Sequence, residues 1–441
     1  MFTKLITLLA VPALVAAQTQ QMTPAQPAQD PSFRPITLAE ALRLAKENNV
    51  SNITAANSVR SSSLQIRSAK AQLYPSLNLS AGQGISAGDR VGQSGTLVPY
   101  ASVWTYNTGL TLSQTLFDAG KSFADVRVAR ANVAANEANE ITQEFSVSLN
   151  VKQQYNAILA SKEAEAAARA QLALADQQLQ VSIARVNAGA ANVSDSLNSV
   201  VGVGNAQINI LNAQQNARAA SAALTRLIGT PYLVTAVTSD TVELARSAID
   251  SAALMAWALD GPTIRQSAAQ LTAAQAQQRS ARTAYFPTIS ASASYSGSGA
   301  GKYGLGRDPY PYSRGLNLAL RFPIFNQYQR ENQVANAQIG EDNAAAQIKD
   351  QRLLAQQTII TQIGLLRNDE EKIRYQLINI RASEEALRVN QQRYALGAGT
   401  LLDVLTSQSN LIVARQQLIQ IRLDYRNARA QIEATIGRDL P

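Results

Sequence analysis

Few residues of this sequence have the types and spacing that catalysis or metal binding requires. Residues 297–302, Gly-Ser-Gly-Ala-Gly-Lys, partly match a phosphate-binding loop, but the first Gly is wrongly spaced and Tyr303 follows instead of Ser or Thr. Glu384-Glu385 belongs to a mixed-charge helical face, which is usually solvated. The chain has no His and no Cys, which removes the usual general base, thiolate nucleophiles and the commonest metal ligands. We therefore expect no enzyme, no cofactor and no metal site.

The composition narrows the function classes further. Of the 441 residues, 46% are hydrophobic, but only 5% are aromatic and 16% are charged. Aromatic side chains supply much of the buried area of a compact core, so their scarcity argues against large globular domains. The formal net charge is +8, but Lys and Arg are dispersed without a basic run, which argues against nucleic acid as a partner.

Residues 1–17 have the pattern of a secretory signal peptide. Lys4 precedes an apolar stretch, and the small residues Ala16 and Ala17 suit cleavage just before Gln18. The apolar stretch is shorter than the roughly 20 residues that span a bilayer, and no later segment is long enough either. We expect an exported chain without a transmembrane helix. Residues 18–35 are rich in Gln and Pro and are predicted to form a disordered leader.

The chain then repeats itself in two halves. The matched pairs share an offset of 208 positions and include Phe117 with Phe325, Asp195 with Asp403, and Ile228 with Ile436. A repeat of this length indicates a duplicated domain rather than a solenoid. We therefore predict a first repeat over 36–230, an inter-repeat linker over 231–246, a second repeat over 247–437 and a tail over 438–441.

Each half has the same predicted order: a helical run ending near a Pro, two strands, a very long helix and a return helix. The first helical runs are 37–73 and 247–284. The long runs, 121–188 and 327–396, contain no Pro and would form helices about 100 Å long. Helices of that length do not fit inside an ordinary globule. Their sparse apolar positions among Ala, Gln, Asn and Ser favour helices packed side by side with two wetted faces.

Four segments alternate polar and apolar residues: 76–81, 105–113, 288–295 and 316–322. Each is close to the length of a membrane β-strand, and the loops between them, 87–102 and 297–313, are long on one side only. A half-buried sheet of a soluble domain is the alternative, but the export signal and the one-sided loops favour membrane strands. The aromatics expected at the membrane interface are Trp104, Tyr106, Tyr285, Phe286, Tyr295 and Phe322.

Four strands cannot close a membrane barrel, because the smallest barrels have about eight. An open sheet edge leaves backbone groups unpaired in lipid. The chain must therefore share its barrel with other copies, and a trimer with a 12-stranded barrel is the simplest closure.

At this point the sequence resembles the TolC family of outer-membrane efflux and secretion channels over residues 36–437. The resemblance lies in the order of the following segments in two copies: 73–77 with 285–289, 116–118 with 323–326, 185–189 with 393–397, and the closing segment 431–437. It implies a mixed membrane α/β fold, internally duplicated, in which each chain gives four strands to a trimeric 12-stranded outer-membrane β-barrel. The barrel would continue as a long α-helical tunnel in the periplasm, with the 231–246 linker in its equatorial region.

The resemblance also implies partners and a gate. The channel would be a passive homotrimer in outer-membrane lipid, working with a periplasmic adaptor protein and an inner-membrane transporter. The turns between the long helices would form the periplasmic tip, where the tunnel closes and the adaptor docks. The residues matched to this tip are Arg185, Gly189, Asp195, Arg393, Tyr394, Gly397 and Asp403.

The charged residues of these turns suggest how a gate would work. Three copies of Asp403 around a narrow axis would favour cations, and Arg185 and Arg393 would pair with carboxylates of neighbouring helices. Helix capping is the simpler alternative, and it is favoured less for Asp403 than for Asp195. Gly399 and Thr406 stand where some relatives have charged residues, so a double acidic ring is not expected here.

The resemblance leaves the exported material open. The favoured interpretation is that the chain is the exit duct of a tripartite efflux pump for small molecules. The second interpretation is that it is the exit duct of a type I protein-secretion system. A periplasmic structural coiled coil without a pore is the alternative from another class.

Overall fold

The computed structural model describes residues 33–91, 95–237, 251–301 and 311–440. The predicted signal peptide, most of the leader and the second half of the predicted linker lie outside these ranges. The elements in chain order are β1 (Arg34–Ile36), α1 (Leu38–Asn48), α2 (Val50–Ala71), β2 (Ser76–Val91), β3 (Leu97–Phe117), α3 (Lys121–Asn187), α4 (Val193–Ile228), β4 (Val234–Ala236), α5 (Ser251–Ala258), α6 (Pro262–Arg282), β5 (Thr288–Gly301), β6 (Tyr312–Arg321), α7 (Gln329–Ala395) and α8 (Leu401–Ile436).

The long helices confirm the predicted duplication. Helices α3 and α7 each have 67 residues, and α4 and α8 each have 36. At 1.5 Å per residue, α3 and α7 are about 100 Å long. Each pairs with its return helix, α3 with α4 and α7 with α8. No helix in the described ranges is long and apolar enough to cross a membrane.

The four long strands form one antiparallel sheet in the order β2-β3-β5-β6. Strand β3 has 21 residues and β2 has 16, so the strands are longer than the alternating segments of the sequence. Much of 87–102 and 297–301, predicted as loop, is paired strand. Backbone hydrogen bonds do not require polar and apolar side chains to alternate. The strands therefore stay paired beyond the residues in which that alternation is seen.

The helical runs before the strands are broken, contrary to the single runs predicted from the sequence. In the first repeat, Asn49 separates α1 from α2, and its side-chain amide donates to the Leu227 carbonyl oxygen at 2.7 Å. In the second repeat, residues 259–261 separate α5 from α6, which begins at Pro262. A Cβ on Gly261 would stand 2.2 Å from the Thr435 carbonyl oxygen, the counterpart of Leu227. The break between the two helices thus contacts the end of the return helix in both repeats. The contact is a hydrogen bond in the first repeat and close backbone packing in the second.

A second, two-stranded parallel sheet pairs β1 with β4. It uses Arg34 and Pro35 from the predicted leader and 234–236 from the predicted linker, so the leader ends earlier than expected and the linker is partly ordered. The Tyr155 hydroxyl of α3 donates to the Ile36 carbonyl oxygen at 3.2 Å and accepts from the Val237 N–H at 3.3 Å. The sheet is therefore anchored to the first long helix.

An ion cluster joins the two repeats at the level of the helix breaks. The Lys152 ammonium on α3 lies 2.7 Å from Glu433 and 2.6 Å from Asp439. Glu433 also accepts from Arg429 and from the Leu440 N–H, both at 3.2 Å. Burial by itself would lower the pKa of Lys152, but the two carboxylates outweigh it and raise the pKa. Apolar clusters around Tyr155 and around Tyr425 form the cores of the two repeats here.

Candidate functional site

The two turns that join the long helices have the same backbone structure. Each long helix is followed by a Gly in the left-handed region, Gly189 at φ 69° and Gly397 at φ 79°. The next residue closes the turn by donating its N–H to an arginine carbonyl oxygen: Ala190 to Arg185 and Ala398 to Arg393, both at 2.8 Å. Gly avoids the steric cost of positive φ, so it favours the same chain reversal in both repeats.

Both return helices begin with a side-chain cap that sequence reasoning missed. Asn192 caps α4 by accepting from the Ser194 N–H, and Thr400 caps α8 by accepting from the Asp403 N–H. Asp403 returns the interaction, accepting from the Thr400 N–H at 3.0 Å and from its hydroxyl at 2.8 Å. The signal was present, because Thr400 and Asp403 stand at capping-box spacing, with Asp in place of the usual Glu or Gln.

This capping box corrects one expectation. A capping role was favoured less for Asp403 than for Asp195, but Asp403 takes part in the cap of α8. The Thr400 N–H and hydroxyl lower the pKa of Asp403 below its usual range, and the positive charge of Arg393 acts in the same direction. Asp403 is exposed at the turn and ionised at neutral pH. A capping role and an exposed negative charge are therefore both present in this one side chain.

Tyr394 brings three of the predicted tip residues together. Its side chain comes from the last turn of α7 and is 2% exposed. Its hydroxyl donates to Asp195 Oδ2 on α4 at 3.2 Å, and the Arg185 guanidinium lies 4.3 Å from its ring centroid. Tyr394 of the second repeat thus contacts both α3 and α4 of the first repeat. The counterpart of Tyr394 in the first repeat is Val186, which cannot make these contacts.

The two arginines make different contacts from those predicted. Within the protomer, Arg185 and Arg393 donate through Nη2 to the carbonyl oxygens of Ala190 and Ala398, at 3.0 and 3.3 Å. No carboxylate in the described ranges lies within salt-bridge distance of either guanidinium. Arg185 Nη1 is buried without a hydrogen-bond partner in the protomer. The arginines thus brace their own turns, and Arg185 also packs on Tyr394.

The packing behind the turns is both apolar and polar. Tyr394 belongs to a buried cluster with Leu387, Leu401, Val404 and Leu411. Behind it, matched polar contacts link each helix pair. Ser182 and Ser199 meet at 2.9 Å in the first repeat, and Asn390 donates to Ser407 at 2.7 Å at the corresponding positions of the second. No three acidic residues in the described ranges converge to form a metal site.

The four-stranded sheet has one apolar and one hydroxyl-rich face. Leu79, Leu110, Tyr295 and Arg314 are registered across the strands on one face, which also carries Leu316, 85% exposed. The opposite face carries mainly Ser, Thr, Asn and Gly, with Arg321 at the end of β6. An exposed apolar face of this kind suits lipid, and the polar face suits a wet lumen.

The predicted interfacial aromatics fall into three groups. Tyr285, Phe286 and Phe322 flank the strand ends nearest the helices. Tyr295 lies in the middle of β5 and stacks on Tyr312 with 5.1 Å between ring centroids. Trp104 and Tyr106 pair with 301 and 299, farther along the sheet. These last three lie away from the ends of their own strands, because the strands extend beyond the alternating segments.

Comparison with known proteins identifies the family. The sequence model of the outer membrane efflux protein family matches residues 41–230 and 258–438, which is most of the chain in two blocks. The chain belongs to this family. OpmQ, a pyoverdine export outer membrane protein of Pseudomonas aeruginosa, is 28% identical over 339 residues, covering 76% of this chain and 69% of its own length.

Two further likenesses support the efflux-family fold. The outer membrane protein TolC of Vibrio cholerae is 23% identical over 91% of this chain and 90% of its own. The solved structure of CusC has a TM-score of 0.75 at 21% identity, covering 92% of this chain and 93% of that chain. The resemblance to the TolC family is therefore confirmed. This efflux-family chain is an outer-membrane exit duct for efflux with a long periplasmic helical part, and its family is one of channels and transport proteins.

Proposed function

We propose that this chain works as a homotrimer whose three sheets close a 12-stranded barrel. Strands β2 and β6 are the edges of the four-stranded sheet and have no partner strand on their outer sides within the described ranges. Backbone groups left unpaired in lipid cost several kcal/mol each, so the edge β2 of one copy must pair with the edge β6 of the next. The helices that continue from the strands would then surround a common tunnel.

The apolar band of the sheet has a suitable height for the outer membrane. From Leu320 to Tyr312, strand β6 advances about 26 Å at 3.3 Å per residue. At the tilt of about 40° that strands of such barrels have, this length covers about 20 Å along the membrane normal, which is most of their roughly 25 Å apolar band. Phe322 would then lie at the periplasmic interface, and the stacked Tyr295 and Tyr312 at the outer one.

The turns of the long helices would form the periplasmic tip, which gates the passive duct and docks the adaptor. The Tyr394–Asp195 hydrogen bond supports this role, because it couples α7 of one repeat to α4 of the other at the turns. Opening the tip by separating the helix pairs would break this contact and move Arg185 off the tyrosine ring. Gly189 and Gly397 would allow the reversals, and the exposed Arg393 and Asp403 would face partners or the axis.

The energy for export would come from an inner-membrane transporter coupled through the periplasmic adaptor. No described site here could drive transport, and several relatives are named as outer membrane proteins of efflux pumps. The cargo would be small molecules, including drugs and toxic compounds. A deletion strain should then accumulate such compounds; loss of a secreted protein with normal drug accumulation would instead support type I secretion.

Reconstitution tests the pore directly. The purified chain in detergent should be a trimer by light scattering and should conduct ions in planar bilayers. It should fractionate with the outer membrane in cells. A chain that is soluble without detergent and gives no conductance would overturn the proposal and support a coiled coil without a pore.

A further inference from the structure

Among the side chains that the structure describes, the hydroxyl-rich face of the sheet carries one formal charge. Among the residues of this face whose side chains are described, Ser, Thr, Asn, Gly and Ala occupy all positions except Arg321, the last residue of β6. Arg321 pairs with Thr288 across the sheet, and its side chain is exposed. It follows Leu320 and precedes Phe322, which are both exposed apolar residues. The alternation of the strand therefore directs Arg321 away from the lipid face.

We propose that Arg321 gives the base of the barrel lumen a preference for anions, as a ring of three arginines in the trimer. This inference rests on the proposed trimeric pore. Twelve strands spaced about 4.8 Å apart and tilted by about 40° make a ring about 24 Å across at the backbone. An extended Arg side chain reaches about 6 Å inward, which leaves each guanidinium about 6 Å from the axis. That distance is within the Debye length of about 10 Å at 0.1 M salt.

The acidic side chains near this level that the strands and helix ends carry are paired or capped. The Asp118 carboxylate caps α3, accepting from the Gly120 N–H at 3.0 Å and the Ser122 N–H at 2.8 Å, so the positive end of the helix dipole offsets its charge. Lys121 and Asp125 form an ion pair, and Arg330 is paired with Glu331. Arg321 has no acidic partner within salt-bridge distance in the described ranges.

The expected effect is measurable at moderate salt. Three unit charges about 6 Å from the axis, screened by water at 0.1 M salt, enrich anions there about sixfold over the bulk. The closed tip lies in series with the barrel and would dominate the resistance of the unmodified channel. The selectivity of the barrel is therefore best measured with the tip opened by Tyr394→Ala.

Strand β6 supplies a matched control. Arg314 lies on the lipid-facing side of the same strand, and its guanidinium is 5.6 Å from the Tyr295 ring centroid. In the Tyr394→Ala background, Arg321→Gln should lower the anion-to-cation permeability ratio at least threefold, measured from reversal potentials in a KCl gradient at about 0.1 M. Arg314→Gln should leave the ratio unchanged, and Arg321→Lys should keep it near the parent value.

The outcomes separate this inference from the proposed function. Conducting trimers in which Arg321→Gln and Arg314→Gln have the same reversal potential as the parent would overturn the arginine ring and leave the pore intact. A parent that forms neither trimers nor channels would overturn both. If Arg321→Gln fails to assemble, Arg321→Ser introduces the residue type that dominates this face of the neighbouring strand β5, and it must show the same loss of anion preference for the inference to stand.

Discussion

Replacing Tyr394 by Phe removes one hydroxyl group and keeps the ring that packs on Arg185. The lost contact is the 3.2 Å hydrogen bond to Asp195 Oδ2, made by a side chain that is only 2% exposed. A hydrogen bond to a charged group contributes about 1.5–3 kcal/mol, and the partial exposure of Asp195 favours the lower end. We therefore expect each copy to lose about 1.5 kcal/mol of tip closure, a change of about tenfold in its closed-to-open ratio.

The assay is the open probability of single channels in planar bilayers. Tyr375→Phe is the matched control, because Tyr375 lies on the same helix, is exposed, and accepts from Arg374 rather than bonding to another helix. Tyr394→Phe should raise the open probability and Tyr375→Phe should leave it unchanged. In an Asp195→Ala background, Tyr394→Phe should add little, since the acceptor is already gone. An equal effect in both backgrounds, or none in either, would refute the hydrogen bond as a lock.

Two further predictions concern the turns and the helix ends. Gly437→Ala should destabilise the protein more than Gly189→Ala: both glycines have φ near 70°, but a Cβ at 437 meets Pro262 Cδ at 2.7 Å and one at 189 meets nothing within 4 Å. We expect about 1 kcal/mol for Gly189→Ala and at least about 2 kcal/mol for Gly437→Ala in thermal unfolding, and equal losses would contradict the packing. The lowered pKa of Asp403 means that its cap contributes stability above the unfolded value and loses it as pH falls through the folded pKa, below about 3.8. Thr400→Ala keeps the backbone N–H but removes the hydroxyl, so it should raise that pKa in a carboxyl NMR titration, whereas an unchanged pKa would show that the hydroxyl does not contribute.

Much of the architecture could be predicted from local signals. The two long runs without Pro, 121–188 and 327–396, predicted α3 and α7 to within two residues at each end. The breaks at Asn49 and Gly261 were missed. Both breaks have local signals, because Asn49 caps α2 by accepting from the Ser51 N–H and Gly261 precedes the Pro that begins α6. The sequence could not give the tertiary contacts of these positions with Leu227 and Thr435, which lie far along the chain.

The candidate site was predicted as a set of residues, but its contacts were not. Positions alone matched Arg185, Asp195 and Tyr394 to the tip, yet the predicted partners of the arginines were carboxylates, where the structure has carbonyl oxygens and the Tyr394 ring. The capping spacing of Thr400 and Asp403 was readable in the sequence. Its consequence for the charge of Asp403 follows from the N–H and hydroxyl that the folded turn directs at it.

The sequence by itself determined the duplication, the length of the helices, the two-faced strands and the absence of His and Cys. These properties depend on residue order, periodicity and composition, which are local. Only the tertiary structure decided that Tyr394 of the second repeat reaches Asp195 of the first, and that Lys152 reaches Glu433 near the other end of the chain. Such contacts join residues hundreds of positions apart, and they exist only because the helix pairs of the two repeats pack together.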